Sequence, residues 1–284
     1  MDCVICRYGE LALKGKNRGL FEDKLLHNMK DCLKKNAIDA RVEKVRGRIF
    51  VHTSDESALD CLKRVFGLVS LSPADITESD EQKITEKVIE YVSKLDVSKI
   101  KTFRITTKRT NKKFSKTSGE TDILLGDTVN EKFGFSVDLT SPDLNIGIEI
   151  HDKTYIFHEK KACFGGLPLG ITGKVACLIR NSADVAAAWL VMRRGCEALL
   201  LLMGDEKYTI LDQYSYGANI KTESIGDLSF AKEIINSNKC KALVVGDSLD
   251  GFDQENYAVT GVAVLAPLII YTESQISDLL EKIR

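Results

Sequence analysis

Apolar residues recur along this chain at two spacings, and the switches between them mark the elements. A strand-like run at residues 2–8 gives way to the polar loop "YGELALKGKNRG". In "LFEDKLLHNMKDCLKKN" the residues Leu20, Phe21, Leu25, Met29, Cys32 and Leu33 then fall at helical spacing. "ARVEKV" and "RIFVHT" flank Arg46-Gly47-Arg48, which predicts a hairpin. "SDESALDCLKRVFG" reads as a helix capped at Ser54 and ended near Gly67, with room for a further strand at 69–73. Residues 1–68 thus read β-α-β-β-α, the order of a small ferredoxin-like α+β unit.

A second unit follows. "DEQKITEKVIEYVSKL" is an amphipathic helix, "TFRITTKR" an alternating strand, "TSGETDILLGDTVNEKFG" a helix, and residues 136–160 two strands around a turn. "FGGLPLGITG", 164–173, holds four of the chain's 20 glycines and one of its 4 prolines and reads as a linker. Beyond it come the buried strand "VACLI", the helix "ADVAAAWLVMRRG" and the strand "CEALLLLMG". The helix "DLSFAKEIINSNKC", the strand "KALVVGDS" and the helix "YTESQISDLLEKIR", capped at Thr272 or Ser274, complete the third unit. Strands alternating with helices predict a parallel α/β sheet there.

Composition sharpens this outline in places. A length of 284 residues suits two domains or three small ones, and 44% hydrophobic content supplies their cores. Net charge is -1, so no global field draws nucleic acid. The charge is uneven, however: residues 1–48 hold twelve Lys/Arg against seven Asp/Glu, and residues 241–284 three against seven. A polyanion would therefore meet the front of the chain. Asp2, Arg7 and Glu10 interrupt the apolar start, and no apolar run reaches the ~18 residues of a membrane span, so a cytoplasmic location and no membrane partner are expected. The 8 scattered cysteines are expected to be reduced and mostly buried. Cys3-Val-Ile-Cys6 has a metal-pair spacing, but alternation puts the two thiols on opposite strand faces and no second pair exists, so no metal site is expected.

"KTFRITTKRTNKKFSK", 101–116, carries seven Lys/Arg and no acid. On a strand Arg104, Thr106 and Lys108 share the face opposite Phe103 and Ile105, and the following loop adds Arg109, Lys112, Lys113 and Lys116. Cations on one face and loop suit an RNA backbone, since phosphate contacts supply most of the affinity. A solvated lysine-rich loop is the plainer alternative.

Here the residues add more than charge. "RYGELALKGKNRGLFEDKL", "VFGLVSLSPA", "FRITTKRTNKKFSKTSGE", "VDLTSPDLNIGIEI", "YIF", "GGLPLGITGKV", "ALVVGDSL" and "VLAPLI" occur in order along nearly the whole chain. They resemble the tRNA 4-thiouridine sulfurtransferases, also called thiamine-biosynthesis sulfur-transfer proteins. The resemblance implies an α/β and α+β multidomain fold. It has a ferredoxin-like domain at 1–72, a THUMP RNA-binding domain at 73–163, a linker at 164–173, and a shortened parallel-sheet PP-loop domain at 174–284. The first two domains would grip the tRNA acceptor end, with Lys14, Lys16 and Arg18 joining Arg104, Lys108, Arg109, Lys112, Lys113 and Lys116 as RNA-binding residues. The third would adenylate a tRNA uridine with ATP and Mg²⁺, after which a persulfide sulfur donor displaces AMP. Family members can form homodimers.

The chain departs from that family at the phosphate loop. There the family has Ser-Gly-Gly-x-Asp-Ser, whose glycines let the backbone close around pyrophosphate at a helix start. The matching residues are Arg180, Asn181, Ser182, Ala183, Asp184 and Val185, and only Asp184 fits. The implied nucleotide set is Leu178, Ile179, Arg180, Ser182, Asp184, Gly246 and Gln254, with Asp184 as the catalytic candidate. Asn181 and Ser182 also suit a helix cap, and Asp184 either Mg²⁺ or a first helical turn. Residues 205–240 hold no matching arginine, and Gly251 stands where the family has a glutamine. None of Cys177, Cys196 and Cys240 occupies the family's sulfur-transfer position. The chain stops at Arg284, and no rhodanese domain is expected. The expected function is a tRNA-binding protein of the uridine-thiolation family with impaired adenylation. The alternative is a catalytically inactive tRNA-binding paralogue or partner subunit. A non-RNA α/β protein is recommended only by the near-zero net charge.

Overall fold

The computed structural model describes residues 1–13, 15–45, 47–204 and 208–284. The chain begins with β1 (Cys3–Tyr8), α1 (Arg18–Lys35), β2 (Arg41–Val45), β3 (Arg48–His52), α2 (Ser57–Lys63) and β4 (Leu68–Glu78). It continues with α3 (Glu81–Ser93), β5 (Thr102–Arg109), α4 (Ser118–Phe133), β6 (Ser136–Val137), β7 (Leu144–Ile150), β8 (Lys153–Phe157) and β9 (Lys161–Ala162). Then come β10 (Gly173–Ile179), α5 (Ser182–Arg193), β11 (Cys196–Leu202), β12 (Lys221–Ser224), α6 (Ala231–Ser237), β13 (Ala242–Val244), β14 (Ala263–Leu265) and α7 (Glu273–Ile283). Two compact units result. One comprises Met1–Cys6, Ala40–Leu59 and Leu71–Lys161, the other Arg7–Asp39, Asp60–Ser70 and Ala162–Arg284.

The first unit is built on a mixed sheet of order β2-β3-β1-β4-β8-β7-β5-β6, with β9 also beside β4. The β2–β3 hairpin closes with Val45 opposite Arg48, as the Arg46-Gly47-Arg48 turn predicts. β4 is longer than the 69–73 strand expected from sequence, because its far end pairs with β8, Asp75 opposite Ile156. Its middle is buried at Leu71 and Ala74, so the extra length is held by packing that the local pattern does not announce. Cys3 and Cys6 are both fully buried, since β1 is covered on both faces. Ser54 is not the cap of α2; the Asp55 carboxylate accepts from the Ser57 amide at 2.9 Å instead. A second core lies between β5, β7, α3 and α4, where Phe103, Ile105, Ile146 and Ile148 meet Val88 and Val129. α4 starts in a Thr117–Glu120 capping box, two reciprocal bonds that satisfy otherwise orphaned amides.

The second unit contains a five-stranded sheet of order β12-β11-β10-β13-β14, with every pair parallel. Its inner strands are apolar on both faces. Val175, Cys177 and Ile179 face Trp189 and its neighbours, while Ala176 and Leu178 face Ala231 and Ile235. β12, "KTES", is exposed at all four positions and carries no apolar signal. Only its pairing with β11 makes it a strand. The stretch expected as a linker is packed rather than open, with Leu167 and Leu169 buried.

α1 belongs to this unit and is braced by the turn at 214–217. The Lys24 ammonium donates to the Gly217 carbonyl at 2.7 Å, and the Gly217 amide donates to Asp31 at 2.7 Å. Asn28 donates to the Leu169 carbonyl at 3.1 Å. Gly217 adopts φ +76°, and a Cβ there would stand 1.7 Å from Asn28 Oδ1. Gly217→Ala combines left-handed strain with overpacking and is expected to cost about 2–4 kcal/mol, read as a lower urea midpoint. An unchanged midpoint would show that α1 can retreat from the turn.

Candidate functional site

The parallel sheet changes direction between β10 and β13, because the chain leaves β10 for β11 on one side and returns to β13 on the other. Ligands of such sheets bind outside the carboxyl ends of the strands at this crevice. Arg180 follows β10 there, and Gly246 and Asp247 follow β13.

What fills the crevice is a closed set of internal bonds. The Arg180 guanidinium donates from Nε to Asp184 Oδ2 at 3.0 Å and from one terminal nitrogen to Asp184 Oδ1 at 2.8 Å. It also donates to Asp247 Oδ1 at 2.6 Å and to the Tyr257 hydroxyl at 2.9 Å. The Tyr257 hydroxyl donates in turn to Asp247 Oδ2 at 2.5 Å. Burial, with the Asp247 bond, pushes that phenol up to about 12, so it stays a neutral donor. The hydrogen bonds that Arg180 donates to Asp184 raise the hold on its own proton further.

The helix start is equally occupied. Asn181, in an extended conformation, caps α5, its Oδ1 accepting from the amides of Ala183 at 2.9 Å and Asp184 at 3.2 Å. Asp184 is 1% exposed, and besides Arg180 its carboxylate accepts from the Arg180 amide at 2.9 Å and the Gly246 amide at 2.6 Å. Four donors leave little lone-pair capacity for Mg²⁺. A Cβ on Gly246 would meet Asp184 N at 2.5 Å, so glycine lets the end of β13 press against the start of α5.

The other expected nucleotide residues lie apart from this set. Leu178 and Ile179 have buried side chains in the cores on opposite faces of the sheet. Ser182 and Gln254 are exposed, and Gln254 lines a cavity of about 440 Å³ with Val262, Val264 and the Tyr257 ring. Cys177 and Cys240 are buried, and burial pushes both thiols up. Cys196 is half-buried, 3.3 Å from the Thr172 hydroxyl. Among the described residues no group of three or more His, Cys, Asp or Glu side chains is placed to hold a metal ion. Sequence reasoning missed Asp247 and Tyr257. Asp247 had a positional signal, following the third strand of the unit in "VVGDS"; Tyr257 had none.

In the first unit, β5 presents Arg104, Thr106 and Lys108 opposite the buried Phe103 and Ile105, as alternation requires. The cations divide into two kinds. Arg104 donates to the Leu139 carbonyl at 2.9 Å, and Arg109 to the carbonyls of Phe114 and Lys116, both at 3.0 Å. Lys116 stands 3.5 Å from Glu81. These side chains shape the loop, which Phe114 anchors by burial. Lys108, Lys112 and Lys113 are exposed and make no ion pair among the described residues. Lys112 and Lys113 line a cavity of about 550 Å³ with Thr110, Asn111 and His151.

In the second unit, Lys16 is exposed, whereas Arg18 is engaged: Nε donates to Glu22 at 2.6 Å and a terminal nitrogen to the Tyr8 hydroxyl at 3.2 Å. Lys14 lies outside the described residues. Among the described residues no helix is long and apolar enough to cross a membrane.

Comparison with known proteins places this geometry. Residues 3–72 match the ThiI ferredoxin-like domain and residues 78–159 the THUMP domain. A "Probable tRNA sulfurtransferase" of Thermoanaerobacter pseudethanolicus is 30% identical, covering 99% of this chain and 85% of that protein. One of the same description from Methanocaldococcus jannaschii is 41% identical over 70% of this chain and 55% of that protein. The crystal structure of PH1313 from Pyrococcus horikoshii superposes with a TM-score of 0.89 at 28% identity, covering 100% of this chain and 99% of that one. A 4-thiouridine synthetase in complex with RNA and bound ATP superposes at 0.86 and 22% identity, covering 100% and 85%, and shares the fold.

Proposed function

The chain belongs to the tRNA sulfurtransferase family, and we propose that within it this protein holds tRNA while its ATP-dependent uridine adenylation is impaired. The observation that carries the proposal is the Arg180 guanidinium seated between Asp184 and Asp247. In a working phosphate loop the helix-start amides and nearby cations face the ligand's oxygens. Here Asn181 takes two of those amides, and two carboxylates take the cation. The residues present do not fit ATP, and Asp184 does not fit Mg²⁺. Lys108, Lys112 and Lys113, without an ion pair among the described residues, support the tRNA half of the reading, since such cations are what a phosphate backbone recruits.

Calorimetric titration of the full chain with ATP and Mg²⁺ tests the impairment. The expected result is no saturable heat below about 1 mM ligand, an affinity weaker than roughly 4 kcal/mol. Micromolar binding would overturn it. So would loss of 4-thiouridine from bulk tRNA when the gene is deleted, read by mass spectrometry.

A further inference from the structure

The second unit holds another cavity, of about 310 Å³, whose charged walls come from two helix ends. α2 ends in Lys63, followed by Arg64, and α7 brings Lys282 with Arg284 after it. Of the side chains lining the cavity, Asp60 is the one carboxylate. A cation at a helix C-terminus is favoured by the helix dipole, which accounts for each pair on its own helix. It does not account for both ends opening into one cavity, where like charges repel.

Several other cations of this unit are paired locally. Arg18 meets Glu22, Lys35 meets Asp31, Lys174 meets Glu197 and Arg194 meets Glu10. The four cavity cations have no ion pair among the described residues. The cavity wall is also rigid. Tyr214 stacks on Phe66 at 5.5 Å, meets Phe164 edge-on at 5.6 Å, and donates its hydroxyl to the Ile283 carbonyl at 2.8 Å, fixing the end of α7. Tyr214 is only 2% exposed, so its ring offers no open face on which a base could stack.

We propose that this cavity is a contact for the phosphodiester backbone of tRNA, additional to the loop at 101–116. The inference rests on the reading of the chain as a tRNA holder. Lys and Arg side chains without an ion pair among the described residues supply charge-assisted donors to phosphate oxygens, and with four cations against one half-buried ring, Phe164, the cavity favours backbone over base recognition.

The test is the Lys63→Glu/Lys282→Glu double variant of the full chain, binding an unmodified tRNA transcript across a salt series. Losing two phosphate contacts is expected to weaken binding on the order of tenfold near 0.15 M salt and to reduce the slope of log K against log salt by about 2. The Lys63→Gln/Lys282→Gln variant is expected to move the same way by less, and it supplies the readout if charge reversal prevents folding. Wild-type affinity and salt slope in both variants would overturn the proposal. So would unchanged tRNA binding together with lost binding of inorganic phosphate, which would assign the cavity to a free anion. If the 101–116 loop variant loses tRNA while these variants keep it, this inference falls and the function stands. If the wild-type chain does not bind tRNA, both fall.

Discussion

Asp184→Ala is expected to destabilise the protein by about 2–3 kcal/mol, the cost of leaving amides unsatisfied beside a half-buried guanidinium that keeps Asp247. The carboxylate is 1% exposed and serves Arg180 three ways, through its Nε, a terminal nitrogen and its amide. It also receives the Gly246 amide. Removing it leaves a buried amide unsatisfied and the guanidinium with Asp247 and Tyr257 alone. The contact that joins the end of β13 to the start of α5 would loosen with it. Urea unfolding followed by circular dichroism measures the effect. Ser182→Ala, at an exposed position of the same turn, should stay within about 0.5 kcal/mol of wild type. A midpoint for Asp184→Ala close to wild type would mean that Arg180 re-pairs fully with Asp247. The cluster would then contribute little to holding the crevice shut.

Reversing three charges, Lys108→Glu/Lys112→Glu/Lys113→Glu, is expected to lower tRNA affinity on the order of a hundredfold near 0.15 M salt. The salt slope should fall by about 3, one for each lost phosphate contact. The unfolding midpoint should barely move, because none of the three is ion-paired among the described residues. Arg109 supplies the contrast. It bonds the carbonyls of Phe114 and Lys116, so Arg109→Ala should disorder the loop and weaken tRNA through shape as well as charge. If the triple variant binds tRNA as tightly as wild type across the salt series, the loop is a solvated surface and its role in binding is lost.

Much of the architecture was legible in the chain because it is written in local periodicity. The alternation in "TFRITTKR" placed Phe103 and Ile105 inside and Lys108 outside, and both are found there. The helix expected over "TSGETDILLGDTVNEKFG" is α4, and of the two caps expected for α7, Thr272 is the one used. The parallel sheet of the third unit followed from strands alternating with helices. Asp184 was singled out only as a nucleotide-site candidate, through its register against the family's loop; its bonds to Arg180 and the Gly246 amide were not legible.

Other features depend on partners distant in sequence. β12 is a strand because β11 lies beside it, not because "KTES" prefers to be one. Gly217 is required by Asn28, 189 positions away by number (217 − 28), and only the packed helix shows the clash. The sequence alone determined most of the helices and inner strands, which of their faces are apolar, and that no glycine stands between Arg180 and Val185, since each is a property of neighbouring residues. The tertiary structure decided what Arg180 does. As a residue after a strand it suits phosphate equally well. Asp247 and Tyr257 arrive from 67 and 77 positions further on and join Asp184 around its guanidinium, so the cation that stood ready for a nucleotide is bonded to its own chain.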